Sequence, residues 1–246
     1  MHKPTPWTAL YRPAAIAIGV TTALAMIALS HHPVGRHVAT AQEGLAAMAS
    51  LESQDETVHG LLLLMFVIFA GGHAVFSHLL GATRPAVLLA MTAYGTGCIL
   101  LIGAMLLDGF VTPQLAARFI AAPEAVARLV QVALAGIGTV IQVLSRAGLL
   151  AIGAASSAFA VALATGTPRL RHARLLAALG LLAGVLPAVF VLFGGMHLAP
   201  GNLMVIFAAQ CAWHAGMASA LATGNAATMN DPRVLPTART TYPGEP

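Results

Sequence analysis

Long apolar runs, separated by short polar connections, make up most of this chain. The clearest run extends from Val58 to Leu80, and Ser53 followed by Glu56 predicts a capping box that starts its helix. Its length suits a hydrocarbon core of about 30 Å. The same pattern predicts an all-α fold, a polytopic membrane helix bundle of six transmembrane helices. The predicted spans are residues 13–30, 57–80, 86–107, 145–164, 175–196 and 203–223.

Glycine and proline mark several predicted breaks in this pattern. Residues 108–113, which include Gly109 and Pro113, are expected to end the third span, and residues 31–56 form a polar connection. Within the fifth span, Pro187 predicts a kink. Gly180 and Gly184 in the same span have the spacing of a close helix-packing pair.

The stretch after the third span is longer than one crossing needs. Pro123 and Glu124 are typical of a helix start, and only single glycines interrupt the residues that follow up to Thr165. We therefore expect an interfacial or tilted helix over residues 123–144 that continues into the fourth span. Two separate crossings are the alternative, but no turn residues supply a connection between them.

The two ends of the chain are polar. Residues 1–12 form a short lead, and residues 225–246 have the composition of a disordered tail. The first span could instead be a secretory signal, because residues 39–41 resemble a cleavage site. That site lies too far beyond the apolar run, so an uncleaved first helix is favoured.

Composition agrees with a lipid environment. The chain is 58% hydrophobic and 8% charged, against about 25% charged in soluble domains. The net charge of +4 is spread over connections, which does not suit nucleic-acid binding. Cys98 and Cys211 fall inside predicted spans and indicate no disulfide framework. The chain resembles the many small polytopic proteins of bacterial inner membranes.

Basic residues predict the orientation of the bundle. With six spans, eight of them share the side of both termini, whereas Arg36, Arg118 and Arg128 lie on the other. By the positive-inside rule this predicts an inner-membrane protein with a cytoplasmic N- and C-terminus. The eight are Lys3, Arg12, Arg84, Arg169, Arg171, Arg174, Arg233 and Arg239.

Histidines within the spans are the main candidates for chemistry. The predicted topology places His59 and His197 at one depth, and His73 and His214 at another. Two imidazoles from facing helices can bind haem iron axially, so these pairs could hold two haem b groups. This is similar to the arrangement in cytochrome b proteins, except that there both ligand pairs come from two helices.

A second hypothesis places a transition metal at the outer face. His31, His32, His37 and Met196, together with His59, His197 and Asp108, could converge there. Imidazole suits Cu and Zn, and thioether suits Cu(I). The His31-His32-x4-His37 spacing is not a recognised ligand motif.

A third hypothesis is a small-solute or proton-coupled permease. Asp108, Arg146 and His73 are ionisable groups within or bordering the spans, and Gln142 and Gln210 each precede one such group by a turn. Asp108 is a candidate partner of Arg146.

The remaining alternatives involve no chemistry. The chain could be an accessory subunit bound to a membrane-protein partner or a homo-oligomer, and each of these polar groups could be purely structural. The usual catalytic signatures are absent from the sequence, so no enzyme class is assigned.

Overall fold

The computed structural model describes residues 7–30, 40–165, 170, 172–193 and 200–228, and all elements within these ranges are helices. A short 3-10 turn, Thr8–Leu10, leads into the first helix, and a π-helical turn, Leu107–Val111, lies between the fourth and fifth. The eight α-helices in chain order are α1 Tyr11–Ser30, α2 Ala41–Ala49, α3 Glu52–Leu80, α4 Pro85–Leu106, α5 Thr112–Arg118, α6 Glu124–Thr165, α7 Ala173–Phe193 and α8 Pro200–Thr228.

Six helical segments among the described residues are long and apolar enough to cross a membrane, as the sequence predicts. They are Thr8–Ala28, Glu52–Leu80, Pro85–Arg118, Glu124–Thr165, Ala173–Phe193 and Leu203–Thr223. Their outer faces carry large apolar side chains: Val67, Ile99 and Leu192 are each more than 60% exposed. A surface of this kind is suited to contact with lipid.

The six long helices pack in a closed ring. α1 contacts α3 on one side and α8 on the other, and the ring continues from α3 through α4, α6 and α7 back to α8. Side chains that point inward from α3, α4, α6 and α8 therefore meet along the centre. We refer to the end of the ring near α2 and α5 as the α5 end, and to the opposite end as the Arg84 end.

Glycines bring the backbones of α6 and α7 close together. A Cβ on Gly153 would lie 2.6 Å from the carbonyl oxygen of Gly184, and a Cβ on Gly180 would lie 3.1 Å from that of Ser156. Small residues allow this approach, and close packing is a main source of helix association in lipid. The predicted packing pair Gly180 and Gly184 is confirmed.

The α-helix α4 ends at Leu106, near the predicted end of the third span, but the break expected at residues 108–113 is wrong. The helix continues through the π-helical turn at Asp108 and Gly109 into α5, where Pro113 occupies the start of the next helical segment. There the missing N–H of proline costs little. The Thr112 hydroxyl donates to the Leu107 carbonyl five residues earlier, at 2.9 Å, which supports the wider turn.

The connection before α3 also differs from expectation. Thr40 and Glu43 form a capping box that starts α2, inside the stretch predicted as a polar connection. α3 begins at Glu52 after Leu51, with no side-chain cap, so the capping box predicted at Ser53 and Glu56 is wrong. The helix begins two residues earlier than a cap at Ser53 would place it, so Ser53 lies inside the first turn.

α6 is one unbroken helix of 42 residues. At 1.5 Å per residue its length is about 63 Å, roughly twice the thickness of a hydrocarbon core. Its first half packs against α2 and α5 around a separate apolar cluster that includes Leu45 and Leu134. Arg146, near its middle, donates to the carbonyl of Val191 close to the end of α7, at 2.8 Å. The first half of α6 therefore extends beyond the end of α7.

Parts of the predicted ends fall outside the described residues. This holds for residues 1–6 of the lead and residues 229–246 of the tail. Helix α8 continues to Thr228, beyond the predicted end of the sixth span at residue 223.

Candidate functional site

The three buried histidines of α3 and α8 share one backbone interaction. His59 Nδ1 lies 2.9 Å from the Asp55 carbonyl oxygen, and His73 Nδ1 lies 2.9 Å from that of Phe69. His214 makes the equivalent bond to the backbone of Gln210. A carbonyl oxygen only accepts, so each Nδ1 carries the hydrogen, and Nε2 of a neutral ring carries the lone pair. All three rings therefore present Nε2 as the reactive atom.

The Nε2 atom of His59 contacts the carboxylate of Asp108. This atom lies 3.3 Å from Asp108 Oδ2; the His59 side chain is buried, whereas 44% of the Asp108 side chain is exposed. A neutral His59 would set its lone pair against the carboxylate, so one proton lies between the two groups. A Cβ on Gly109 would overlap the His59 ring, so glycine is needed for the π-helical turn to approach α3. The exposed part of Asp108 is reached from the α5 end.

His73 and His214 meet at the centre of the ring. Their ring centroids lie 5.3 Å apart, with the planes perpendicular, and both side chains are buried. Tyr94 of α4 stacks on His73 at 3.7 Å, and Phe69 of α3 stacks on His214 at 4.1 Å. His214 Nε2 has no hydrogen-bond partner among the described residues. The site is thus a buried imidazole pair in which no described residue bonds to the Nε2 of His214.

The pair does not fit axial ligation of haem. A macrocycle bound by two imidazoles lies between them, whereas these two rings are in edge-to-face contact. Tyr94 and Phe69 cover further ring faces. A haem would have to displace both aromatic side chains and separate α3 from α8.

The outer histidine hypotheses depend on residues outside the described ranges. These are His31, His32, His37, Met196 and His197. The pairing of His59 with His197 and the metal site at the outer face therefore stay predictions. Within the described ranges, no group of three or more His, Cys, Asp or Glu side chains is arranged to hold a metal ion.

Asp108 and Arg146 do not form the suggested pair. Asp108 contacts His59, and Arg146 donates to the Val191 carbonyl, which lies in the last turn of α7. Such terminal carbonyls have no partner within their own helix. Gln142 lies half-buried one turn before Arg146 on α6. Sequence alone does not reveal which helices are neighbours, and for this reason the predicted Asp108–Arg146 pair was wrong.

Gln210 satisfies a carbonyl that Pro187 leaves free. Proline has no N–H, so the Ala183 carbonyl four residues before it has no donor within α7. Gln210 Nε2 donates to this oxygen at 2.9 Å. Neighbouring helices commonly satisfy carbonyls freed by proline in this way. One turn of α8 thus bonds to both the Ala183 carbonyl of α7 and the His214 imidazole.

A double-mutant cycle would measure this interaction. Replacing Gln210 with Leu leaves the Ala183 carbonyl buried without a donor, so we expect a loss of about 1–3 kcal/mol in unfolding free energy. In a Pro187→Ala background the restored N–H serves that carbonyl, and the same replacement should cost close to nothing. Unfolding by SDS titration in mixed micelles provides the measurement. An equal cost in both backgrounds would contradict the assignment.

Aromatic residues of the site were missed by sequence reasoning. Tyr94 and Phe159 contact His73, and Trp213 packs near Phe76 and Phe159. A tyrosine in mid-span is the one signal that could have been used, since its hydroxyl needs a partner; here that partner is Cys98. The others look like ordinary apolar residues of a span.

A third imidazole contact lies at the Arg84 end. His78 Nδ1 is 3.2 Å from the Tyr11 hydroxyl, and the ring stacks on Trp7 at 4.8 Å. Together with His59 and His73, this places three imidazoles along α3, each in contact with a different partner helix or turn.

No family model, curated protein or solved structure matches this chain. Its activity must therefore be inferred from its own side chains.

Proposed function

We propose that this protein is a membrane permease that couples the passage of a small solute to proton binding at His73 and His214. The observation that carries the proposal is the central imidazole pair: both rings have Nδ1 occupied by a backbone carbonyl, and His214 Nε2 is buried without a partner. A bare Nε2 can take up one proton without rearrangement of the ring. Ionisable groups at such a depth are costly and are typical of proton pathways.

The other two imidazoles of α3 extend this site toward both ends of the bundle. His59 with Asp108 would exchange protons at the α5 end, and His78 with Tyr11 at the Arg84 end. Along α3, His73 lies about 21 Å from His59 and about 7.5 Å from His78 at 1.5 Å per residue. The three levels together cover most of a hydrocarbon core.

Charge supports a cytoplasmic Arg84 end. Arg12, Arg84 and Arg174 lie at this end, whereas Arg118 and Arg128 lie near the α5 end. By the positive-inside rule the termini would face the cytoplasm of a bacterial inner membrane, with lipid as the main partner. Protons driven inward would then enter at Asp108, and the first half of α6 would project outward from the outer membrane surface. Reporter fusions at both ends would measure the orientation.

Proton movement in proteoliposomes tests the proposal. Vesicles with trapped pyranine, a clamped potential and an imposed pH gradient would be challenged with amino acids, sugars, organic cations and metal salts. We expect at least one class to accelerate proton flux, and His73→Gln or His214→Gln to reduce that flux to the level of empty vesicles. Asp108→Asn should slow the flux without abolishing it, because Asp108 lies at the entrance.

His172→Asn provides the matched control. His172 is exposed at the Arg84 end and has a positive φ of 69°, which Asn adopts readily. This variant should retain the full flux. Wild-type vesicles that behave as empty vesicles with every solute class, or imidazole variants that transport normally, would contradict the proposal.

A transition metal is the second candidate ligand of the same pair. The Nε2 lone pairs of two adjacent imidazoles are also ligands that suit Cu or Zn. Elemental analysis of protein purified with and without added copper or zinc distinguishes metal binding from proton coupling. Stoichiometric metal that is lost in the His73→Gln variant would favour this candidate over proton coupling.

A further inference from the structure

Three buried side chains on one turn of α8 each have a polar atom that no described residue bonds. Gln210, Trp213 and His214 are all more than nine-tenths buried, and the three atoms are Gln210 Oε1, Trp213 Nε1 and His214 Nε2. Residues three and four apart on a helix are surface neighbours, with Cβ atoms about 5–6 Å apart. Buried polar atoms are rarely left unsatisfied, so three within one turn indicate a ligand that binds there.

The contacts of the two rings place them in the interior of the bundle. The Cζ3 edge of the Trp213 indole faces α7, because a Cβ on Gly180 would lie 2.9 Å from Cζ3. Nε1 is on the opposite edge of the indole and therefore faces away from α7. The indole packs near Phe76 of α3, and His214 stacks on Phe69 of the same helix. Both rings thus reach from α8 into the space between α3 and α7.

The other bonds of these side chains decide which of the three atoms donate and which accept. Gln210 Nε2 donates to the Ala183 carbonyl, so Oε1 is the remaining acceptor of the amide. His214 Nδ1 donates to the Gln210 backbone, so Nε2 of the neutral ring is a second acceptor. Trp213 Nε1 only donates. A matching polar group therefore donates two hydrogens and accepts one.

We propose that this turn of α8 binds a short primary amine in its neutral form; the proposal rests on the permease function above and identifies its solute class. The nitrogen of R–NH2 has two hydrogens for Gln210 and His214, and one lone pair for Trp213. A hydroxyl group has only one hydrogen to donate. An ammonium ion has no lone pair for the indole N–H, so R–NH3+ must release one proton to water and bind as R–NH2.

Amine and proton compete for the same lone pair of His214. A proton on Nε2 turns this acceptor into a donor, which then opposes the hydrogens of the amine. The site therefore holds either the amine or the proton, so transport exchanges one for the other across the membrane. In the described part of the chain, His73 of α3 is the titratable group that faces His214, and Tyr94 of α4 stacks on His73. Helices α1, α6 and α7 present no ionisable side chain to this turn within the same residues.

Binding of radiolabelled methylamine to the detergent-purified full chain tests the proposal. A scintillation proximity assay would be run from pH 7 to pH 9. A primary ammonium group such as that of lysine has a pKa of about 10.4, so the neutral fraction rises about tenfold per pH unit in this range. We expect the apparent affinity to rise by the same factor. Methanol and tetramethylammonium chloride should compete poorly, because neither offers two hydrogens and a lone pair on one atom.

Three replacements each remove one of the polar atoms. Gln210→Leu, Trp213→Phe and His214→Phe should each weaken methylamine binding by about tenfold, roughly the effect of one lost hydrogen bond. Ser156→Ala is the matched control, because its buried hydroxyl already donates to the Ile152 carbonyl. This variant should bind methylamine as the wild type does. Unchanged binding in all three replacements, or an equal loss in Ser156→Ala, would overturn the proposal.

The indole provides a readout that needs no change at the site. In a Trp7→Phe background Trp213 is the sole tryptophan of the chain, and a hydrogen bond from Nε1 to methylamine should shift its fluorescence emission to longer wavelength. An unchanged emission at saturating methylamine would contradict the proposal. So would an affinity that does not vary with pH, equal competition by methanol, or no methylamine binding, which is the result expected of a site that takes only water.

These outcomes separate the amine site from the proposed transport. Methylamine that binds as described but moves no protons in vesicles would support the site and contradict the permease. Proton flux driven by another solute class, without methylamine binding, would contradict the site and support the permease.

Discussion

Replacing Gly184 with Ala is expected to destabilise the bundle by about 1–3 kcal/mol or more. A Cβ at this position would overlap the Ser157 hydroxyl and lie 2.6 Å from the Gly153 carbonyl oxygen. That carbonyl belongs to the backbone of α6, so it cannot rotate away as a side chain would. The helices must separate, which opens the α6–α7 interface. Size-exclusion chromatography and thermal unfolding in detergent would detect the loss.

The same substitution at Gly136 should act in the opposite direction. Gly136 lies on α6, and an added Cβ would meet nothing within 4 Å. Alanine then gains up to about 1 kcal/mol from its higher helix propensity. Equal effects of the two substitutions would show that α6 and α7 do not approach each other as described.

Replacing Trp213, the largest fully buried side chain among the described residues, with Ala is expected to cost about 3–5 kcal/mol. The indole is fully buried, lies against Gly180 of α7, and packs near Phe76 and Phe159. Its removal leaves a cavity between four helices. SDS titration would measure the change in unfolding free energy.

Phenylalanine at position 213 isolates the role of the indole nitrogen. Trp213 Nε1 is buried without a hydrogen-bond partner among the described residues. Trp213→Phe keeps most of the packing and removes this unsatisfied donor, so its cost should be well below that of alanine. Trp7→Ala, at an indole that is 42% exposed and stacks on His78, should cost much less than Trp213→Ala. A phenylalanine variant as unstable as the alanine variant would mean that Nε1 does have a partner, such as a bound solute.

The six spans could be predicted from sequence because lipid imposes a simple condition. A helix that spans lipid must satisfy its backbone hydrogen bonds internally and present an apolar surface over a fixed length. Both requirements can be recognised in the sequence. The unbroken α6 followed from the absence of turn residues after Glu124. The end predicted at Gly109 and Pro113 was wrong because both residues also suit a π-helical turn followed by a new helical segment.

The site could be predicted only in part, because a single sequence does not show which helices contact each other. Equal depth suggested that His73 and His214 are close, and their rings are in contact. Depth alone also suggested that Asp108 pairs with Arg146. The order of the helices in the ring instead places Asp108 next to His59 and Arg146 next to the Val191 carbonyl. The role of Gln210 depends on Pro187 of a neighbouring helix, which no local pattern in α8 indicates.

The uninterrupted course of α6 has a mechanical consequence. At Gly153 its backbone closely approaches that of α7, and this contact can act as a pivot for a rigid helix. The arm toward Glu124 is about 44 Å long and the arm toward Thr165 about 18 Å, at 1.5 Å per residue. Arg84 holds the shorter segment of α6 by donating to the Ala162 carbonyl at 2.8 Å. A sideways force applied near Glu124 would therefore move the Arg84–Ala162 contact over a shorter distance and act on it with a larger force.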